Sequence, residues 1–184
     1  MNIKYTALAV TSLLASFSLS ADQLTADLSN DAFKVEITSE RLIPDVRLSL
    51  SGLGTDDDVN VFAATAVMAG PVQQYKEINA GLGARLYYAD AYDNNMQAFA
   101  LGGFAQYNIP TAKEVSLIGE FFYAPGITSS DDIDYQTDLN VRVNYQLLPN
   151  GAVYAGYRYL QTNIEDSRNL ILDKGIHLGF EFSF

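Results

Sequence analysis

No cysteine occurs among the 184 residues. That excludes a disulfide framework, a thiol nucleophile and any thiolate metal site. Histidine occurs once, as His177, so a histidine-rich metal site is excluded as well. Basic residues are scarce, with Lys plus Arg at 11 against 22 for Asp plus Glu and a net charge of -11. A chain that must neutralise phosphates carries the opposite balance, so nucleic acid is not an expected partner. Proline is held to five residues, whereas Tyr and Phe number 12 and 10. Few breakers and many aromatics suit a strand-rich chain, and the length suits one domain.

Long apolar runs are also missing, apart from the first segment. Lys4, the apolar run Ala7 to Leu19 and the small residues of Ser18-Leu19-Ser20 read as a secretory signal peptide, residues 1–20. A cut after Ser20 is expected, because a cut after Ala21 would leave Leu19 three residues back. About thirteen apolar residues fall short of the ~20 that a membrane-spanning helix needs. Residues 21–184 are read as one domain.

Alternation of period two fills that domain. In "GIHLGFEFSF" the residues Ile176, Leu178, Phe180, Phe182 and Phe184 share one face, opposite His177, Gly179, Glu181 and Ser183. In "YQTDLNVRVNYQL" the odd positions Tyr135 to Leu147 are apolar apart from Thr137, against Gln136, Asp138, Asn140, Arg142, Asn144 and Gln146. Ile78 to Tyr88 repeats the pattern. Similar runs cover Val46 to Leu53, Val59 to Met68, Phe99 to Asn108, Val115 to Ala124 and Ala152 to Thr162, the one from Val59 being ambiguous as to face. The connections read as alternately tight ("LLPNG", "IPTAK") and long ("APGITSSDDID", "TNIEDSRNLILDKG"). Short turns at one end and long loops at the other are the habit of outer-membrane barrels. Tyr88, Tyr123, Tyr135 and Tyr159 on the oily faces of one rim, and Tyr107, Tyr145, Phe182 and Phe184 at the other, predict two aromatic girdles.

The expected fold is therefore an all-β, antiparallel, up-and-down transmembrane barrel in a bacterial outer membrane. Eight strands run from Val46 to Phe184, and residues 21–44 add a hairpin across Ser29-Asn30-Asp31, with Leu24, Ala26 and Leu28 facing Phe33, Val35 and Ile37. Ten strands are favoured over eight, and either even number returns both ends to the periplasm. Gly179, Phe182 and Phe184 form a G-x-x-F-x-F ending that resembles the signal read by the bacterial barrel-assembly machinery.

"ALGGF" (Ala100 to Phe104), "GEFFYAP" (Gly119 to Pro125) and "GYRYL" (Gly156 to Leu160), followed by the closing strand, resemble the YfaZ family of outer-membrane proteins. The likeness is firmest from Phe99 onward and least clear from Asp22 to Pro44. It implies a Gram-negative outer-membrane barrel and carries over no catalytic residue or substrate.

Lys34, Arg47, Arg85, Arg142 and Arg158 are read as facing the lumen with Glu36, Glu120, Asp138 and Glu181. Buried charges are tolerated when paired, so a charge-paired lumen is expected in which Glu120 or Asp138 bridges Arg142 and Arg158. His177 is expected to bond to neighbours rather than catalyse, since Glu181 lies about 13 Å along the strand at ~3.3 Å per residue. Asp56, Asp57, Asp58, Asp90, Asp93, Asp131, Asp132, Asp134, Glu165, Asp166 and Asp173 are assigned to the outer rim, offset by Arg168 and Lys174. Asp56, Asp57 and Asp58 are weak candidates for divalent cations, in a spacing that matches no metal loop. No cofactor is expected. The expected partners are outer-membrane lipids, lipopolysaccharide and, during biogenesis, the assembly machinery, and a monomer is expected. The favoured function is a non-catalytic barrel with a structural or surface-interaction role; a narrow channel is the alternative and a lipid-modifying enzyme the least favoured reading.

Overall fold

The computed structural model describes residues 22–56, 59–91, 94–130, 133–164 and 168–184. The stretch read as a signal peptide lies outside them, as do Asp57, Asp58, Asp93, Asp131, Asp132, Glu165 and Asp166.

Ten strands alternate with hairpin connections: β1 (Gln23–Leu28), β2 (Ala32–Ile43), β3 (Val46–Thr55), β4 (Asn60–Val72), β5 (Tyr75–Ala91), β6 (Asn94–Asn108), β7 (Val115–Pro125), β8 (Ile133–Leu148), β9 (Gly151–Ile164) and β10 (Arg168–Ser183). Each pairs antiparallel with its sequence neighbours, and β1 pairs with β10, so the sheet closes on itself. Closure removes every free edge over the paired region, which is what a strand structure in lipid requires. The N-terminal hairpin is part of the wall, with Leu24, Ala26 and Leu28 directly opposite Ile37, Val35 and Phe33.

Alternation sets the two faces. Leu82, Leu86, Leu101, Phe121, Val141, Ile176 and Leu178 are exposed on the outside, while Arg85, Asp138, Asn140, Asn144 and His177 are buried inside. On β4 the ambiguity resolves as Val61, Ala63, Thr65 and Val67 inward and Met68 outward.

Loop asymmetry is weaker than the sequence suggested. β9 runs to Ile164 and β10 starts at Arg168, so the segment read as the longest loop is mostly hairpin. At the end shared by both termini, the connections 44–45, 73–74 and 149–150 are tight, but 109–114 is longer than the tight turn expected there. Strand pairing outlasts the clear alternation, because strand ends leaving the membrane no longer need an apolar outer face.

β1 has only six residues, fewer than the about 9–11 that span a bilayer as a strand. Side chains reinforce its two seams. At the terminal rim the Phe184 N–H donates to the Asp22 carbonyl at 2.9 Å, and Arg41 Nη2 donates to the Phe184 carbonyl at 3.1 Å. Asp22 Oδ2 accepts from the backbone N–H groups of Glu40 (2.6 Å) and Arg41 (3.1 Å), and Arg41 Nε sits 2.6 Å from Asp22 Oδ1. Desolvation opposes the charge on Asp22. The Glu40 N–H, the Arg41 guanidinium, the Ser39 hydroxyl and the Arg41 N–H outweigh it and hold the carboxyl below its ordinary 3.8.

Candidate functional site

The lumen gathers almost all the chemistry of the chain, in layers. Arg85 on β5 is the hub of the middle layer. Its Nε donates to Thr65 Oγ1 on β4 (2.8 Å), Nη1 to Asp138 Oδ2 on β8 (2.7 Å) and Nη2 to Glu120 Oε2 on β7 (3.1 Å). Tyr87 Oη donates to the same Asp138 oxygen at 2.6 Å. The guanidinium also lies over the ring of Phe122, 4.0 Å from its centroid, in a cation–π contact. One arginine thereby ties four strands together.

Arg158 on β9 is a second hub. Its Nε donates to Asp173 on β10 and its Nη1 to Asp27 Oδ1 on β1 at 3.0 Å; Tyr154 Oη donates to Asp27 Oδ2 at 3.1 Å. These bonds link the first strand to the last two, beside the short β1–β10 ladder. Nearer the terminal end, Arg142 Nη2 and Asn144 Nδ2 both donate to Glu181 Oε2, at 3.1 and 3.2 Å. Lys34 pairs with Glu36 along β2 at 2.9 Å, and Arg47 pairs with Glu40 at 2.6 Å while covering the Phe104 ring at 4.1 Å.

Charge pairing in the lumen therefore exists with different partners from those expected. Glu120 and Asp138 both serve Arg85 rather than bridging Arg142 and Arg158. Across the β8–β9 pair, Arg158 lies opposite Asn140 and Arg142 opposite Gly156, so the two arginines are diagonal, and each reaches its own acid. Asp173, assigned to the outer rim, is instead buried at 8% exposure. A bulge between Ile171 and Asp173 turns both Leu172 and Asp173 inward. Lys174 is a residue of β10 on its outward, exposed face, and Arg168, Asp90 and Asp134 also lie within strands. Asp27, Asp173, Tyr87, Tyr154 and Phe122 went unnamed as lumen residues. Parity would have found Asp173, since it lies an even number of positions from His177, and Asp27, which alternates with Leu28.

His177 departs from expectation as well. It is buried at 1% exposure and neither ring nitrogen has a hydrogen-bond partner among the described residues. It sits edge-on to Tyr154, centroids 5.8 Å apart, in space left by Gly156, where a Cβ would meet its Nε2 at 2.7 Å. Glu181 is engaged by Arg142 and Asn144, so no histidine–acid pair forms here. Among the described residues no group of three or more His, Asp or Glu converges as a metal site.

Beyond the middle layer, at the end away from the termini, the lumen is mostly apolar, with Gln136 and Thr162 buried there as a hydrogen-bonded pair. Leu53, Val61, Tyr87, Met96, Phe122 and Leu160 belong to a continuous buried cluster. The expected charge-paired lumen occupies the terminal and middle layers, and the apolar cluster beyond them was not expected. An alternating strand shows a clear polar face only where its inner face is wet, and these strands end in a dry plug.

The chain matches the family described as YfaZ precursor across residues 1–184. It belongs to the YfaZ family. It is 30% identical over 140 residues to Outer membrane protein YfaZ of Escherichia coli (strain K12), covering 74% of this chain and 75% of that protein. This YfaZ-family chain is a β-barrel protein of the bacterial outer membrane. Among solved structures, the KdgM porin in complex with disordered oligogalacturonate is 14% identical with a TM-score of 0.48, covering 89% of this chain and 99% of the porin. The outer membrane channel DcaP of Acinetobacter baumannii is 11% identical with a TM-score of 0.45, covering 87% of this chain. The YfaZ-family chain spans about half of that channel, 54%.

Proposed function

We infer that this barrel is a closed, non-catalytic wall protein of the outer membrane, with its role on the surface or in the envelope rather than in bulk transport. The observation that carries this reading is that the Arg85 and Arg158 ion clusters interlock with the apolar plug, Asp138 lying opposite Phe122 and Leu160 and Asp173 opposite Leu160. Barrels of eight to ten strands have interiors that side chains can fill, whereas open porins need ~16. With His177 unpaired and Glu181 engaged by Arg142 and Asn144, the described residues contain no histidine–acid pair of the kind that supports hydrolysis. An even strand number puts both ends on one side of the membrane, and we place that side in the periplasm. Gly179, Phe182 and Phe184 serve as the assembly signal, and residues 1–20 as the signal peptide.

Two measurements test the closed reading. Purified protein in a planar bilayer should give no unitary conductance steps; reproducible steps would favour the narrow-channel alternative. Urea unfolding in lipid should show Arg85→Gln and Glu120→Gln strongly coupled. Each single change strands a buried charge, at a cost of about 3 to 5 kcal/mol, and the double mutant should cost much less than the sum. Additive effects would mean a hydrated lumen in which neither charge depends on the other.

A further inference from the structure

The terminal half of the lumen is not filled. Among the described residues, three chambers follow one another from the mouth inward. The outermost, about 170 Å³, lies between the ends of β6 to β10 and is lined by Asn108, Lys113, Asn144, Gln146 and others. Gln106 and Glu181 line both this chamber and the next, of about 80 Å³, which reaches Ser49, Arg85 and Glu120. Arg85 and Glu120 in turn line a last space of about 20 Å³, bounded by Leu53, Val61 and Leu160 of the apolar plug. A space of about 150 Å³ holds a benzene-sized molecule, and 10 to 15 Å³ is enough for one water. Among the described residues the series therefore starts at the size of a small solute, ends at the size of a water, and stops against hydrocarbon.

The lining also sets the chemistry. Inside the mouth its charges are already committed in pairs: Arg47 with Glu40, Arg142 with Glu181, Arg85 with Glu120 and Asp138, Glu36 with Lys34; Lys113 and Glu114 are the exposed exceptions, at the outer edge of the first chamber. An ionic guest would have to break a pair or enter without a counter-charge, at the cost of desolvation. What remains available is carboxamide and hydroxyl: Gln23, Gln106, Asn108, Gln146, Thr38 and Ser49. Such groups donate and accept alike, so they match a guest that does the same.

We propose that the terminal half of the lumen is a blind recess that takes up a small, uncharged, hydroxyl- or amide-bearing solute from the terminal side. The recess rests on the closed reading above, because the plug is what makes it blind.

The cysteine-free sequence allows a clean test. Single variants Ser49→Cys, in the second chamber, and Ala98→Cys, in the plug, are refolded in lipid and checked by heat-modifiable mobility. Ser49→Cys should react with neutral methyl methanethiosulfonate at least about tenfold faster than Ala98→Cys. After normalising to a free thiol, it should also react faster with that reagent than with its anionic and cationic sulfur analogues. Adding Gln106→Trp at the junction of the chambers should slow the Ser49→Cys reaction about tenfold. Glycerol should protect Ser49→Cys saturably, whereas raffinose at equal osmolality should not. An unreactive Ser49→Cys, charged reagents as fast as the neutral one, no effect of Gln106→Trp, or equal protection by raffinose would each overturn the recess and leave the closed barrel standing. Fast reaction at Ala98→Cys would overturn both, since the plug itself would then be open.

Discussion

A methyl group at position 179 would lie 2.4 Å from Tyr154 Cζ and 2.5 Å from the Ala26 carbonyl oxygen. Glycine there makes room for the tyrosine whose hydroxyl reaches Asp27, so a residue of the terminal signal also has a packing duty inside the wall. Gly179→Ala should destabilise the barrel by about 1 to 3 kcal/mol through overpacking. Unfolding of protein refolded in lipid without any assembly factor measures this separately from recognition; unchanged stability would mean that the ring simply swings aside. Asp22 gives a prediction in pH. Its carboxyl is held below 3.8, so its contribution is fully present above that value and is lost as pH falls through the lower folded value. The stability gap between the native chain and Asp22→Asn should stay constant above about pH 5 and shrink on acidification below it, as read by urea midpoints at each pH. Single residues also mark where sequence reading stops. Arg85, Asp138 and Glu181 could be placed inside by parity alone, but parity assigns a face and not a partner. Pairing depends on height and on strands distant in the chain: Asp27 and Arg158 are 131 positions apart.

Elements were legible in proportion to the contrast between their faces. β8 and the last half of β10, from Ile176 on, have an oily outside and a wet inside and are legible almost residue by residue, whereas the first half of β10 reads as loop. β4, written "NVFAATAVMAGPV", has apolar groups on both faces because its inner side enters the plug. Its ambiguity was itself the sign of a dry lumen. β10 carries the bulge that reverses the phase beyond Ile171, which no alternation rule anticipates. The same strand carries the prediction that belongs at this scale. Phe182 and Phe184 stack edge to face, centroids 5.4 Å apart, at the terminal rim. Phe184→Ser should lower the amount of heat-modifiable barrel in the outer membrane several-fold while leaving refolding in pure lipid largely intact. Normal membrane levels would sink the assembly-signal role.

At the scale of the whole molecule, orientation is the open variable that the fold makes testable. An epitope inserted between Asp57 and Asp58 should be reachable by antibody on intact cells, and one at Asn150, in the tight turn between β8 and β9, should not. The reverse pattern would turn the barrel over and make the recess face the medium. The rim where the Phe184 N–H meets the Asp22 carbonyl has a further consequence. Because those two residues are hydrogen-bonded neighbours, the strand order is a ring with no intrinsic start. Geometrically, any of the tight turns at that end could carry the break and the present ends could be joined by a short linker. What makes β10 the last strand is then the order of the gene and not the shape of the wall, so the address written into its final residues can be moved without redrawing the building it labels.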